Sequence, residues 1–233
     1  MTRPAGRSWV SAARVVEARL LLTILALLAA LWAFLAVTGE VREGETSPLD
    51  RQILLAFRLP GDLAAPIGPR WLQESARDFT ALGGFTALSL IVVLAVVILI
   101  LLDRRAQALI FGLTAVFAQG LGELTKHLID RPRPEIVPHL DLVYSSSFPS
   151  GHALMSPAVY LTLAAVVAAG HPRPAIGWVL WVGAVMLVIV IGVSRVYLGV
   201  HWPSDVLAGW TLGTAIALAA SLALARTGRT EDP

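Results

Sequence analysis

Residues 194–225 read SRVYLGVHWPSDVLAGWTLGTAIALAASLALA, a cluster of ionisable side chains that passes directly into an apolar run. The run from Val206 to Ala225 comes close to the roughly 20 residues needed to cross a bilayer as a helix. At its head stand Ser194, Arg195, His201 and Asp205. Charged groups in or beside a membrane span are costly to hold there, so such a cluster calls for a task that offsets the cost. Outward along the chain the pattern recurs twice. Pro149-Ser150-Gly151-His152 precedes another apolar stretch, and Lys126 with Arg133-Pro134 follows one.

Hydrophobic residues make up 56% of the chain and charged residues 15%, with a mean hydropathy of +0.73, which places it among integral membrane proteins. Apolar runs near Leu20 to Val37, Leu82 to Leu102, Ala106 to Leu124, Ala153 to Ala169, Ala175 to Val193 and Val206 to Ala225 predict an all-α bundle of six spanning helices. The first run is too long for a signal-peptide core and has no small-residue cleavage site before Glu40, so it is expected to remain as an anchor. Gly83-Gly84, Asp103-Arg104-Arg105 and Pro172 with Pro174 punctuate the rest, and the short connections make successive helices antiparallel neighbours. The expected organisation is one membrane domain, residues 20–225, between a cytoplasmic segment 1–19 and a cytoplasmic tail 226–233.

Cysteine is absent, which excludes disulfides, thiolate catalysis and thiolate metal sites together. Asparagine is absent too, and Lys126 is the sole lysine, a usage expected of a GC-rich bacterial genome. The arginines are scattered, with no basic run or aromatic-interleaved patch, so no nucleic-acid partner is expected.

The connection 39–81 is the main extramembrane element and is expected outside the cytoplasm. Two amphipathic stretches lie in it: Asp50 to Leu59 aligns Ile53, Leu54 and Phe57, and Trp71 to Leu82 aligns Trp71, Leu72, Ser75, Phe79 and Leu82. Either a lid over a site or a linker packed on the helix tops satisfies that pattern. Six spans put both termini on one side and bring all three polar clusters to the same face. The basic residues divide equally between the two faces, so the positive-inside count is a tie. Arg14 and Arg19 before the first span, and Glu40, Glu43 and Glu45 after it, lead us to expect the termini inside and the clusters outside.

Lys126 with Arg133-Pro134, Pro149-Ser150-Gly151-His152, and Ser194-Arg195 with His201 and Asp205 together resemble the three-part signature of the type 2 phosphatidic acid phosphatase superfamily. That superfamily includes lipid phosphatases, glucose-6-phosphatase and vanadium haloperoxidases. The likeness runs from Lys126 to Asp205 with the order and internal spacings of the signature intact.

The residue types suit phosphoryl transfer, which needs positioned donors and positive charge on the equatorial oxygens. Lys126 offers a point charge, and Arg133 and Arg195 offer planar forks. Ser150 and Gly151 begin a helix, where free amides and the dipole favour an anion, and Ser150 is equally an ordinary cap. The resemblance implies that His201, oriented by Asp205, takes the phosphoryl group as a phosphohistidine. It implies also that His152 acts as general acid and then as base. No metal and no cofactor is expected, since three cations would repel a divalent ion.

The expected activity is hydrolysis of a phosphorylated lipid in the bacterial inner membrane, with the site facing the periplasm. Phosphatidic acid, phosphatidylglycerol phosphate and undecaprenyl pyrophosphate are the substrates the resemblance implies. The alternatives are a vanadate-dependent haloperoxidase and a phosphate-binding transporter or scaffold without turnover, and the oligomeric state stays open. Outside the signature, Asp130 and Arg131 are expected to pair locally or touch a second phosphate. Glu123 is expected to make a helix contact, and His127, His139 and His171 to be non-catalytic. Trp202 is a candidate for the substrate mouth, and Gly120, Gly209 and Gly213 for close helix packing.

Overall fold

A backbone in lipid must satisfy its own hydrogen bonds, so each predicted apolar run becomes a helix. The computed structural model describes residues 6–227; residues 1–5 of the predicted N-terminal segment and 228–233 of the predicted tail lie outside the described residues. In chain order the elements are α1 (Gly6–Glu43), α2 (Ser47–Ala56), β1 (Arg58–Leu59), β2 (Asp62–Pro66), α3 (Arg70–Ala81), α4 (Phe85–Leu101), α5 (Arg105–Ile129), α6 (Gly151–Ala169), α7 (Pro174–Tyr197) and α8 (Pro203–Thr227). Among the described residues, α1, α5, α6, α7 and α8 are each long and apolar enough to cross a membrane. The pair α3 and α4, bent by 45° at its break, supplies a sixth span when taken together.

Helix α6 sits at the centre, packed against α4, α5, α7 and α8. Its approach to α8 is close because Gly209 and Gly213 have no side chain. A methyl at Gly209 would meet Ala153 Cβ and Ser150 O at 2.8 Å, and one at Gly213 would run into Leu154 O. Gly120 does not serve this purpose: it faces outward with nothing within 4 Å of a built Cβ, and Gly122, against Leu154, is the α5 glycine that meets α6. Helix α1 packs on α8 and turns Leu21, Leu22 and Trp32 outward.

Between α1 and α4 the predicted amphipathic stretches are α2 and α3, joined by an antiparallel β1–β2 ribbon that hydrophobic periodicity did not announce. The ribbon turns at Gly61, whose φ of +88° suits glycine. Arg58, buried, donates from Nη1 to Tyr197 O at 2.9 Å, and the Tyr197 hydroxyl donates to Ile67 O at 2.9 Å, which ties the ribbon to the end of α7. Leu54 of α2 is wholly buried among Val137, Ala153, Val196 and Val206. Helix α3 buries Ala76 and Thr80 and leaves Trp71 and Phe79 exposed. The segment therefore packs over the helix ends that carry the three polar clusters.

Candidate active site

The end of α7 decides where the third cluster points. Gly199 takes φ +76° just past the helix, with Gly199 N donating to Val196 O and Val200 N to Arg195 O, a Schellman turn. The chain reverses there and returns His201 to the neighbourhood of Arg195. Helix α8 then starts at Pro203, a favoured first position, and the Asp205 carboxylate reaches back to accept from Trp202 N at 2.9 Å. That cap fixes Asp205 beside His201, with Oδ2 to Nδ1 at 3.5 Å.

Asp205 is fully buried and saturated. Its Oδ2 also accepts a short hydrogen bond from the Ser147 hydroxyl, and its Oδ1 accepts from Arg131 Nη1 at 2.6 Å. Arg131 in turn holds Asp50 of α2 at 2.8 Å, and Asp50 accepts from Ser204 N at 2.8 Å. Arg131 lies over the Trp202 ring, whose Nε1 donates to Pro132 O. Trp202 is thus packing for this bridge. Arg131 pairs with two distant carboxylates, while Asp130 is the left-handed C-cap of α5. Asp50, Ser147 and this role of Arg131 escaped the reading of the sequence, because the partners of each lie tens of residues away.

His201 is 2% exposed. Arg133 Nη1 lies 3.1 Å from its Nε2, and a guanidinium can only donate, so Nε2 is the unprotonated nitrogen and Nδ1 carries the proton on the Asp205 side. Burial, opposed by Asp205 and reinforced by Arg133 and Arg195, pulls the imidazole down to about 4, so the ring is neutral at neutral pH. Arg133 also donates to Val200 O at 2.6 Å and from Nε to Ser145 O at 2.8 Å. Burial and the Arg195 charge lower it to about 10, still protonated at neutral pH.

Lys126, in the last turn of α5, donates to the Ser145 hydroxyl at 3.0 Å and lies 3.7 Å from Glu123. Its Nζ is 3.7 Å from a Cβ built on Gly151, which brings the first and second clusters together. Ser150 caps α6 through a long 3.5 Å bond from Ala153 N, while the N–H groups of Gly151 and His152 have no partner among the described residues. His152 lies under the α3–α4 turn, with a Cβ built on Gly84 3.7 Å from its Nε2. Lys126, Arg133, Arg195 and His201 all act on it electrostatically. Arg195, 2% exposed, spends Nη1 on Thr80 at 2.9 Å and Asp141 at 2.6 Å, and its buried Nε has no partner. Ser194 instead turns back to Ile191 O.

All eight candidate residues therefore gather at one end of the bundle. They form a cationic hollow with an unmatched buried arginine donor, two free helix-start amides and one neutral imidazole, an arrangement that suits a multivalent oxyanion. Among the described residues no group of three or more His, Asp or Glu is placed to hold a metal ion. His139 bonds Pro134 O at 2.6 Å, away from this centre, and His127 and His171 are exposed.

A family model described as PAP2 superfamily matches residues 107–229. The chain is 32% identical over 151 residues to phosphatidylglycerophosphatase B of Bacillus subtilis, covering 61% of this chain and 70% of that protein. It is 34% identical over 124 residues to the undecaprenyl-diphosphatase of Sulfolobus acidocaldarius, covering 51% of this chain and 56% of the relative. A crystal structure of a transmembrane PAP2 type phosphatidylglycerolphosphate phosphatase from Bacillus subtilis superposes with a TM-score of 0.77 at 25% identity, over 88% of this chain and 97% of that one.

Proposed function

The chain belongs to the PAP2 superfamily, and from that premise we propose that it is a metal-independent lipid phosphatase working through a phosphohistidine. The observation that carries the reading is His201, a buried neutral imidazole with its proton on the Asp205 side, Arg133 at its free nitrogen and the Arg195 charge acting on the ring. Relatives that act on phosphorylated lipids support the substrate class.

In this mechanism Lys126, Arg133, Arg195 and the amides of Gly151 and His152 hold the phosphoryl oxygens, with Ser150 capping the helix that presents those amides. The phosphate takes over the Arg133 donor now shared with His201, which frees the Nε2 lone pair. Nε2 attacks phosphorus, the bond to the leaving oxygen breaks, and His152 gives that oxygen a proton. Water then attacks the phosphohistidine while His152 takes its proton, and phosphate leaves with His201 restored. Asp205 keeps Nδ1 protonated and stabilises the positive ring formed in the first step.

Phosphate release by the detergent-purified protein in EDTA, wild type beside His201→Ala, tests this across phosphatidic acid, phosphatidylglycerol phosphate and undecaprenyl pyrophosphate. Release by the wild type alone on one of these lipids supports the mechanism. Activity that vanishes in EDTA and returns with magnesium overturns it.

The reading includes an orientation, with termini in the cytoplasm and the site facing outward, supported by Arg14 and Arg19 ahead of the first span. The chain has no cysteine, so Tyr144→Cys, at a position 92% exposed in the loop before α6, reports the face directly. Labelling of intact cells by a membrane-impermeant maleimide is expected, and protection until lysis reverses the orientation.

A further inference from the structure

The hollow continues as a groove of about 470 Å³ between α4, α5 and α6, with Lys126, Gly151 and His152 at its mouth. Leu88, Val92 and Val93 of α4 and Val116 of α5 line its far part, and Val93 and Val116 are exposed on the side where the bundle faces lipid. Because the groove begins at the site itself, its occupant is the leaving portion of the substrate. Beyond Lys126 and His152 a largely apolar wall holds the Ser89 hydroxyl on α4 and two polar groups from α5, Gln119 and Glu123, which bond to one another. The α5 pair stands one and two turns below Lys126 on one helix face, about 4.5 and 10.5 Å along the axis.

Gln119 Nε2 donates to Glu123 Oε1 at 3.1 Å, and Lys126 Nζ lies 3.7 Å from that same oxygen. Glu123 Oε2 and Gln119 Oε1 have no partner among the described residues, which leaves two acceptors in the groove just beyond Lys126. Lys126 already supplies positive charge to Glu123, so the complement is a neutral donor, a hydroxyl. A diphosphate instead puts its second phosphorus one bridging oxygen from the first, where it meets the Glu123 carboxylate. Phosphatidic acid brings ester carbonyls there, which are acceptors only.

We propose that Gln119 and Glu123 form a hydroxyl-reading subsite, so that the chain selects phosphate monoesters of a polyol head group over lipid diphosphates and phosphatidic acid. This rests on the phosphatase reading above. The site is matched to a donor, and a substrate without one leaves both acceptors unpaired.

The test is kcat/KM of the full chain in detergent on phosphatidylglycerol phosphate, phosphatidic acid and undecaprenyl pyrophosphate, for wild type, Glu123→Gln and Gln119→Leu. The wild type is expected to favour phosphatidylglycerol phosphate. Glu123→Gln is expected to cut the preference over the diphosphate by about tenfold or more, by losing the first substrate and gaining the second. Gln119→Leu should lower the polyol monoester without raising the diphosphate. Equal losses on all three lipids in both variants, or a wild type that prefers the diphosphate, overturn the subsite while leaving the phosphatase reading standing. Absence of phosphate release from every lipid by the wild type overturns both.

Discussion

Asp205 pairs with Arg131 and Glu123 lies beside Lys126, yet Asp205 is fully buried with both oxygens engaged, whereas the Glu123 side chain is 49% exposed and uses a single oxygen. Around Asp205 the protein spends Ser147, Arg131, Trp202 N and, through Arg131, Asp50 of a separate helix. Around Glu123 it spends only Gln119 and Lys126, both from the same helix. A buried charge must be matched on every side, so the α8 half of the site is rigid. A half-exposed carboxylate keeps spare acceptors, so the α5 half can meet a ligand. Orientation of His201 belongs to the first half and choice of head group to the second.

The severest way to break the rigid half is at its product. His201→Ala should reduce phosphate release by about 10⁴-fold or more. Acid reaches the same nitrogen: since Nε2 must be unprotonated to attack, kcat/KM should fall with decreasing pH through about 4 and hold above it as far as this group is concerned. An acid limb set by His201 near its ordinary 6.5 would contradict that burial.

Next comes the bridge. Arg131→Met leaves Asp205 and Asp50 buried without their cation, which should cost about 3–5 kcal/mol of stability and about 10²-fold in kcat. Adding Asp50→Asn should recover part of the stability, and a double-mutant cycle measured by denaturation would read the coupling. Strict additivity would detach α2 from the site.

Gly199→Ala probes the turn that aims His201. The new methyl enters a left-handed φ and meets Arg58 Nη2 at 2.7 Å and Val137 at 2.9 Å, so roughly 1–3 kcal/mol should be lost in unfolding measurements. The smallest expected change sharpens the contrast: Glu123→Gln should move stability by no more than about 1 kcal/mol, because that pair is half exposed, even while it alters substrate preference. A loss comparable to that of Arg131→Met would erase the distinction between the two halves.

The spans, and the three clusters holding the eight candidate residues, were legible because each carries its signal locally. A run of apolar residues spans lipid wherever it occurs, and Pro203 before Asp205 announces a helix start from its own chemistry. The glycines were only half legible. Gly209 and Gly213 pack and Gly120 does not, because composition names a small residue without saying which way its helix is rotated. Arg131 was ambiguous for a related reason: its neighbour Asp130 is adjacent in sequence, but its partners Asp50 and Asp205 are brought to it by folding.

Sequence by itself determined a polytopic helical membrane protein with three polar clusters at one end, since hydropathy, helix period and the parity of crossings are properties of the chain read in order. Tertiary structure alone decided which nitrogen of His201 is free, that Asp50 reaches the site, and that Gln119 and Glu123 share a groove with His152. Those facts depend on how helices rotate and approach one another, and that is set by side chains packing across distances the linear order does not encode.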